Sequence, residues 1–260
     1  FFLPNGFVAS LCSCCRDSKM ATNWIVVPAA GQGRRFGEIL PKQYQLLAGR
    51  TVIEHTLERL LQIDQSIVVV AIHPADSQWR RLPVFSHPRI RTVHGGKERS
   101  DSVRLALDCL QREAHVDDWV LVHDVARPCV RVTDINKLMA ALKTHTVGGI
   151  LAVPVSDTVK QVDQQAGISA TVSRTDLWLA QTPQMFRYGL LSWSLNSAYR
   201  QQWQPTDEAS AVEKLGHCPL AVEGSSDNIK ITRREDLAIA EAIIKFQNES
   251  SKQSGGLELP

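Results

Sequence analysis

Apolar residues fall in short continuous runs, separated by segments whose apolar positions recur every three or four residues. This is the pattern of buried strands alternating with amphipathic helices. The first run, 24–27 (WIVV), passes into Pro28, Ala29, Ala30 and Gly31 and reads as a buried strand entering a loop. Thr51 with Glu54 three residues on has the form of a capping box, and Ile53, Leu57, Leu60 and Leu61 continue a helical stripe behind it. The β-branched runs 66–72 (SIVVVAI) and 90–93 read as central strands of a parallel sheet. A helix from Ser100 then carries Val103, Leu107 and Leu110, and a strand over 119–123 stops at Asp124. A helix from Thr133, with Ile135, Leu138, Met139 and Leu142 on one face, precedes a strand over 149–155. This sustained order predicts an α/β fold: a doubly wound, mostly parallel sheet with helices on both faces.

The rhythm breaks at Ser156. Residues 158–162 and 168–174 alternate apolar and polar positions around a turn at 163–167, which predicts a protruding β-hairpin, an arm over about 156–175. A two-stranded hairpin is marginal alone, so it either lies on its own domain or packs against the same arm of a second subunit. The sequence leaves both open. LWLAQTPQMF (177–186) follows without assignment to either period; then come a helical stretch to Tyr199, a helix over 207–215 stopped by Gly216 and a strand in PLAVEG. In the closing helix Thr232 and Glu235 form a second capping box, ahead of Leu237, Ala240 and Ile244. Residues 1–19 read as a non-native extension ahead of Met20, 20–247 as one domain, and 248–260 as a polar, disordered tail.

Composition narrows the classes. The 43% apolar content of 260 residues supplies one sizeable core. With 29 Lys+Arg against 27 Asp+Glu the net charge is +2, which gives no reason to expect a nucleic-acid or membrane partner, so any anion site must be local. No apolar run reaches the roughly 20 residues of a membrane-spanning helix. Cys12, Cys14 and Cys15 lie in the first 19 residues, while Cys109, Cys129 and Cys218 are scattered singly. That usage suits a reducing cytoplasm rather than a disulfide framework. His55, His73 and His94 have no metal-ligand spacing, and His123 reads as a packing residue at a strand end.

The segment richest in chemistry is PAAGQGRRFGEILPKQ, 28–43. Its glycines allow tight turns that present several backbone N–H groups to one anion, and Arg34, Arg35 and Lys42 add full positive charge. The combination suits a triphosphate. No GxxxxGK followed by Ser or Thr is present, and Phe36 stands where a dinucleotide fingerprint requires a third glycine. Pro41 prevents a continuous helix through Lys42, leaving a long loop able to fold over a ligand. Asp124 follows a buried strand, where open α/β sheets place ligand groups.

The strings PAAGQGRR, PKQY, GGKERSDSV, VHDVARP, PVSDTVK, SRTDLW, LAQTPQMF, TDEASAVE and DNIKITRREDL occur in this order between residues 24 and 244. Together they resemble the 2-C-methyl-D-erythritol 4-phosphate cytidylyltransferase family of the non-mevalonate isoprenoid pathway. The resemblance implies a Rossmann-like fold of the nucleotide-diphospho-sugar transferase type and the joining of CTP to a small sugar-alcohol phosphate, with Mg2+ as cofactor. It also implies a cytoplasmic homodimer exchanging the hairpin arms. On the family's pattern Arg35 and Lys42 stabilise the transition state, Arg174 and Lys230 position the acceptor phosphate, and Gly31, Gly33 and Arg34 shape the loop around CTP. Pro28, Ala29, Ala30, Gly95, Gly96 and Ser102 meet the nucleoside, although Ser102 also reads as a first-turn residue satisfying helix N–H groups. Asp124, Arg127, Thr158 and Thr206 meet the acceptor; Asp124 is the metal ligand, with Asp227 a second candidate. The alternative acceptor is ribitol 5-phosphate or a related sugar phosphate. A non-enzymatic nucleotide binder would have shed a catalytic cation, whereas Arg35, Lys42 and Lys230 are all present.

Overall fold

The structure, a computed structural model, describes residues 22–31 and 40–254. Its first half is built from β1 (Asn23–Ala29), the two-residue strands β2 (Leu46–Leu47) and β3 (Arg50–Thr51), α1 (Val52–Leu60), β4 (Ser66–Ile72), β5 (Ile90–His94), α2 (Arg99–Leu110), β6 (Trp119–Val122) and α3 (Val132–Leu142). The second half holds β7 (Gly148–Pro154), the hairpin strands β8 (Val159–Val162) and β9 (Ile168–Val172), β10 (Trp178–Arg187), α4 (Tyr188–Arg200), α5 (Glu208–Glu213), β11 (Leu220–Glu223) and α6 (Glu235–Ser254).

Seven strands form one sheet in the order β11-β7-β10-β6-β1-β4-β5. β1 pairs in parallel with β4 and β6, β4 with β5, and β7 with β11. Side chains of a strand alternate between faces, and here both faces are covered. Ile25, Val27, Val68, Val70 and Leu121 pack with Ile53 and Leu57 of α1 and Ile135 and Leu138 of α3. Trp24, Val26, Val69, Val120 and Val122 pack on the other side with Val103 and Leu107 of α2 and Leu191 and Leu195 of α4. Strands buried on both faces have no polar positions to alternate, which is why they read as continuous apolar runs. The doubly wound fold expected from the sequence is present.

Three details differ from the sequence reading. β5 is one of the two edge strands of the sheet rather than a central one, and its residues are only partly buried or exposed. LWLAQTPQMF supplies most of β10, which runs antiparallel between β6 and β7 and shifts register between Ala180 and Gln184. In the closing helix the carboxylate that reaches back is that of Asp236, not Glu235. It accepts from Thr232 N at 2.7 Å, Thr232 Oγ1 at 2.9 Å and Arg233 N at 2.8 Å. α6 itself runs from Glu235 to Ser254.

The Thr51 capping box is as expected, with Glu54 Oε2 2.9 Å from Thr51 N. β8 and β9 pair only with each other among the described residues and expose most of their side chains, including Val162 and Ile168. The hairpin therefore stands off its own domain. Its turn is closed by Asp163 Oδ1, which accepts from Gln165 N and Gly167 N at 3.0 and 2.7 Å.

Candidate active site

The parallel strands β1, β4, β5 and β6 end on one side of the sheet, where the chain must leave each strand and cannot pair further. A cleft of about 720 Å³ opens there. Its wall comprises Pro28 to Gly31 after β1, His73 and Pro74 after β4, and Gly95, Gly96, Lys97, Glu98, Arg99 and Ser102 between β5 and α2. Asp124, Val125 and Ala126 after β6, with Lys42, Gln43, Lys230 and Thr232, complete it.

At Gly95 and Gly96 the packing leaves no room for a side chain. A Cβ on Gly95 would lie 2.4 Å from Ala30 Cβ and 3.0 Å from Ser102 Oγ; one on Gly96 would lie 2.4 Å from Asp101 Cβ. Ser102 is buried and accepts from Gly96 N at 3.1 Å while donating to Glu98 O at 3.1 Å. Its hydroxyl fixes the loop ahead of α2 rather than merely ending the helix. Lys42 donates to Ile231 O at 3.0 Å, and Gln43 donates to Ala29 O at 3.2 Å, so the turn at Lys42–Tyr44 is tied both to β1 and to the segment after Lys230.

Asp124 is the electrostatic centre. Its Oδ1 receives Arg99 Nε at 2.7 Å, its Oδ2 receives Lys230 Nζ at 2.7 Å, and Arg127 Nε lies 3.9 Å from Oδ2. Burial alone would raise this carboxyl, but the charges of Arg99 and Lys230 and their hydrogen bonds outweigh it and hold the group well below the usual carboxylate range. Asp124 is ionised at any physiological pH. Arg99 is clamped from its far side by Glu208, with Nη1 to Oε1 at 2.7 Å and Nη2 to Oε2 at 2.9 Å.

The turn carrying Asp124 is set by a chain of hydrogen bonds. Asp124 N donates to Thr182 Oγ1 at 3.1 Å; because Arg127 O can only accept from His123 Nε2, Nδ1 of the neutral ring is an acceptor and takes the Thr182 hydroxyl proton at 3.1 Å. The proton of neutral His123 then sits on Nε2 and reaches Arg127 O at 3.1 Å. Burial lowers His123 to about 4, only partly offset by that carbonyl and by Asp124, and keeps it neutral. It is a packing residue, as expected, and also fixes the 124–127 turn.

The structure thus brings Pro28, Ala29, Ala30, Gly31, Lys42, Gly95, Gly96, Ser102, Asp124 and Lys230 to one cleft. Gly33, Arg34 and Arg35 lie outside the described residues. Arg127 sits behind Asp124 and donates to Asn228 O and, at 3.4 Å, to Ala180 O. Thr206 is exposed at the start of α5, 3.4 Å from Ser210 Oγ. Thr158 and Arg174 are on the exposed arm, where Arg174 donates to Ser156 O. Asp227 does not line the cleft: Arg131 Nε is 2.9 Å and Gln247 Nε2 3.1 Å from its Oδ2. Arg99 and Glu208 are not legible as site residues from GGKERSDSV and TDEASAVE, because neither segment shows that the two side chains meet.

A cleft at the carboxyl ends of a doubly wound sheet, with glycine backbone, three lysines and an arginine in its wall, suits transfer of a nucleotidyl group between phosphates. Fold and site together define a nucleotidyltransferase. The chain belongs to the 2-C-methyl-D-erythritol 4-phosphate cytidylyltransferase family, whose profile matches residues 24–246. Its reaction transfers the cytidylyl group of CTP to 2-C-methyl-D-erythritol 4-phosphate in isoprenoid precursor synthesis.

The 2-C-methyl-D-erythritol 4-phosphate cytidylyltransferase of Hahella chejuensis is 48% identical over 223 residues, covering 85% of this chain and 92% of its own. That of Vibrio vulnificus is 50% identical over 227 residues, covering 86% and 95%. Among solved structures, the Francisella tularensis enzyme of the same name is 38% identical, with a TM-score of 0.74 over 86% of this chain and 100% of its own. A 4-diphosphocytidyl-2C-methyl-D-erythritol synthase is 36% identical, with a TM-score of 0.75 over 86% and 99%.

Proposed function

We propose that the cleft around Asp124 performs this transfer, with CTP lying along the 28–31 and 95–102 segments and the acceptor beside Asp124. The observation that carries the reading is the Lys230–Asp124 contact in a wall that also holds Lys42. A phosphate oxygen of the acceptor attacks the α-phosphorus of CTP, the bond from that phosphorus to the bridging oxygen breaks, and pyrophosphate leaves. The acceptor phosphate has its second pKa near 6, so the nucleophile is already dianionic and no general base is required. What the site supplies is alignment and positive charge as charge develops around phosphorus. Lys42, with Arg34 and Arg35, serves the triphosphate; Gly31 and Gly33 let the loop follow it; Lys230 and Arg127 hold the acceptor.

Mg2+ fits this donor set. Among the described residues no three His, Cys, Asp or Glu side chains could hold a metal by themselves. Mg2+ is commonly held by one or two carboxylates plus substrate phosphates, and Asp124 is an ionised carboxylate in the wall. When bound, the ion would neutralise charge on the phosphate oxygens. Asp227, whose Oδ2 is engaged by Arg131 and Gln247 and which is outside the cleft wall, is the weaker candidate.

The exposed arm supports a homodimer in which Thr158 and Arg174 serve the neighbouring subunit's acceptor site, beside Thr206. Val162, Ile168, Trp178 and Leu179 on and beside it are exposed and would gain cover there. The unpaired thiols Cys109, Cys129 and Cys218 suit the cytoplasm.

Mixing inactive Lys42→Ala and Arg174→Ala subunits tests the exchange. A mixed dimer regenerates one intact site, so random reassortment should restore about a quarter of the parental activity. A mixture no more active than its components overturns the arrangement.

A further inference from the structure

We propose that Glu208 is a positioning residue: acting through Arg99, it fixes the Asp124 carboxylate in the orientation that the acceptor requires. The inference rests on the assignment of Asp124 made above.

Glu208 is fully buried and does not line the cleft, so it is not placed to touch substrate. Both of its oxygens are used by the two terminal nitrogens of Arg99, at 2.7 and 2.9 Å. The remaining donor edge of the guanidinium, Nε, goes to Asp124 Oδ1 at 2.7 Å. A guanidinium is planar and its donors are rigidly disposed, so a bidentate clamp on one edge sets the direction of the other. Fixing Oδ1 in this way leaves Oδ2 to Lys230 and to the cleft.

The clamp itself has a firm base. Glu208 is the first residue of α5, whose N-cap Asp207 accepts from Ser210 N at 2.9 Å. Gln184 of β10 ties that end to the sheet, donating to Asp207 Oδ2 at 2.8 Å and accepting from Ala209 N at 2.9 Å. The path from β10 through α5 to Arg99 on α2 and Asp124 after β6 thus joins four elements at one carboxylate.

Charge points the same way. Without Glu208, Arg99, Lys230 and Arg127 would surround a single carboxylate, and the Arg99 cation would be free to turn toward the phosphates. A buried ion pair is weak ground for a purely stabilising role, since desolvation offsets much of the attraction. Orientation of Arg99 accounts for the burial of this charge.

The test compares Asp124→Asn, Glu208→Gln, Arg99→Gln and the double variant Arg99→Gln/Glu208→Gln. Glu208→Gln and Arg99→Gln should each lower kcat/KM for methylerythritol phosphate by about 10- to 100-fold, the usual range for a residue supporting a ligand. In Glu208→Gln, which removes no group from the cleft wall, KM for CTP should stay within about threefold, because the 95–102 loop is held by its own hydrogen bonds to Ile72, Ser102 and Asp101. The double variant should be no worse than Arg99→Gln, because Glu208 acts only through Arg99. It removes one charge of each sign, and it decides the question even if Glu208→Gln does not fold. Losses that multiply in the double variant, full activity in Glu208→Gln, or a parallel loss of CTP binding in Glu208→Gln would overturn the inference. Full activity in Asp124→Asn would instead overturn the assignment of Asp124 on which it rests.

Discussion

Lys230 Nζ lies 2.7 Å from Asp124 Oδ2, joining the turn after β6 to the segment that leads into α6. The cation thereby occupies the one carboxylate oxygen that Arg99 leaves open. Lys230 is 39% exposed in its side chain, whereas Asp124 is buried, so the pair is a contact that ligands entering the cleft can exchange.

Lys230→Ala should therefore affect catalysis far more than stability. Asp124 keeps Arg99, and a partly exposed ion pair contributes little to folding. kcat/KM for the acceptor phosphate should fall on the order of 100-fold, the usual loss when one charged group placed at the reacting phosphates is removed. Tm should move by only about 4 °C or less. Steady-state kinetics beside a thermal melt separate the two; a large loss of Tm with little loss of rate contradicts the assignment.

Gly95→Ala probes the glycine wall. The new Cβ would meet Ala30 Cβ and Ser102 Oγ, the first of them fixed to the backbone of the segment after β1. Overpacking of this kind costs about 1 to 3 kcal/mol, and the loop must shift to relieve it. KM for CTP should rise about tenfold or more, since displacements near 1 Å cost up to ~100-fold. An unchanged KM for CTP would remove this loop from the nucleoside site.

His123 predicts an acid limb in stability. Its folded pKa, about 4, lies below the ordinary histidine value of about 6.5, so the unfolded chain binds the proton more tightly. The stability held by neutral His123 is fully present above pH 6.5 and declines as pH falls toward 4, by about 3 kcal/mol in all. Asp124 is depressed as well, so its contribution is present above the ordinary carboxylate pKa and is lost below about pH 4. Denaturant midpoints between pH 7 and 4 should fall for the parent and flatten for His123→Gln. Parallel curves for the two proteins would mean that His123 carries none of the slope.

The sequence made the sheet legible wherever burial on two faces produced continuous apolar runs, as in β1, β4 and β6. β10 was not legible, because Gln181, Thr182, Pro183 and Gln184 interrupt the run with polar groups. Three of them are buried and hydrogen-bonded to Ser225, His123 and Asp207. The edge position of β5 could not be read from its own residues, since its single neighbour is a matter of sheet order. In the site, Asp124 and the glycines announced themselves by place and type. Arg99 and Glu208 did not, because their meaning lies in a contact between residues far apart in the chain.

The most direct measurement is pyrophosphate release from CTP and Mg2+, with methylerythritol phosphate and ribitol 5-phosphate compared as acceptors, in the parent and in Lys42→Ala. Rapid release with methylerythritol phosphate, little with ribitol 5-phosphate, and a loss on the order of 100-fold in Lys42→Ala is the predicted result. Equal release with both acceptors, or an undiminished rate in Lys42→Ala, would contradict it.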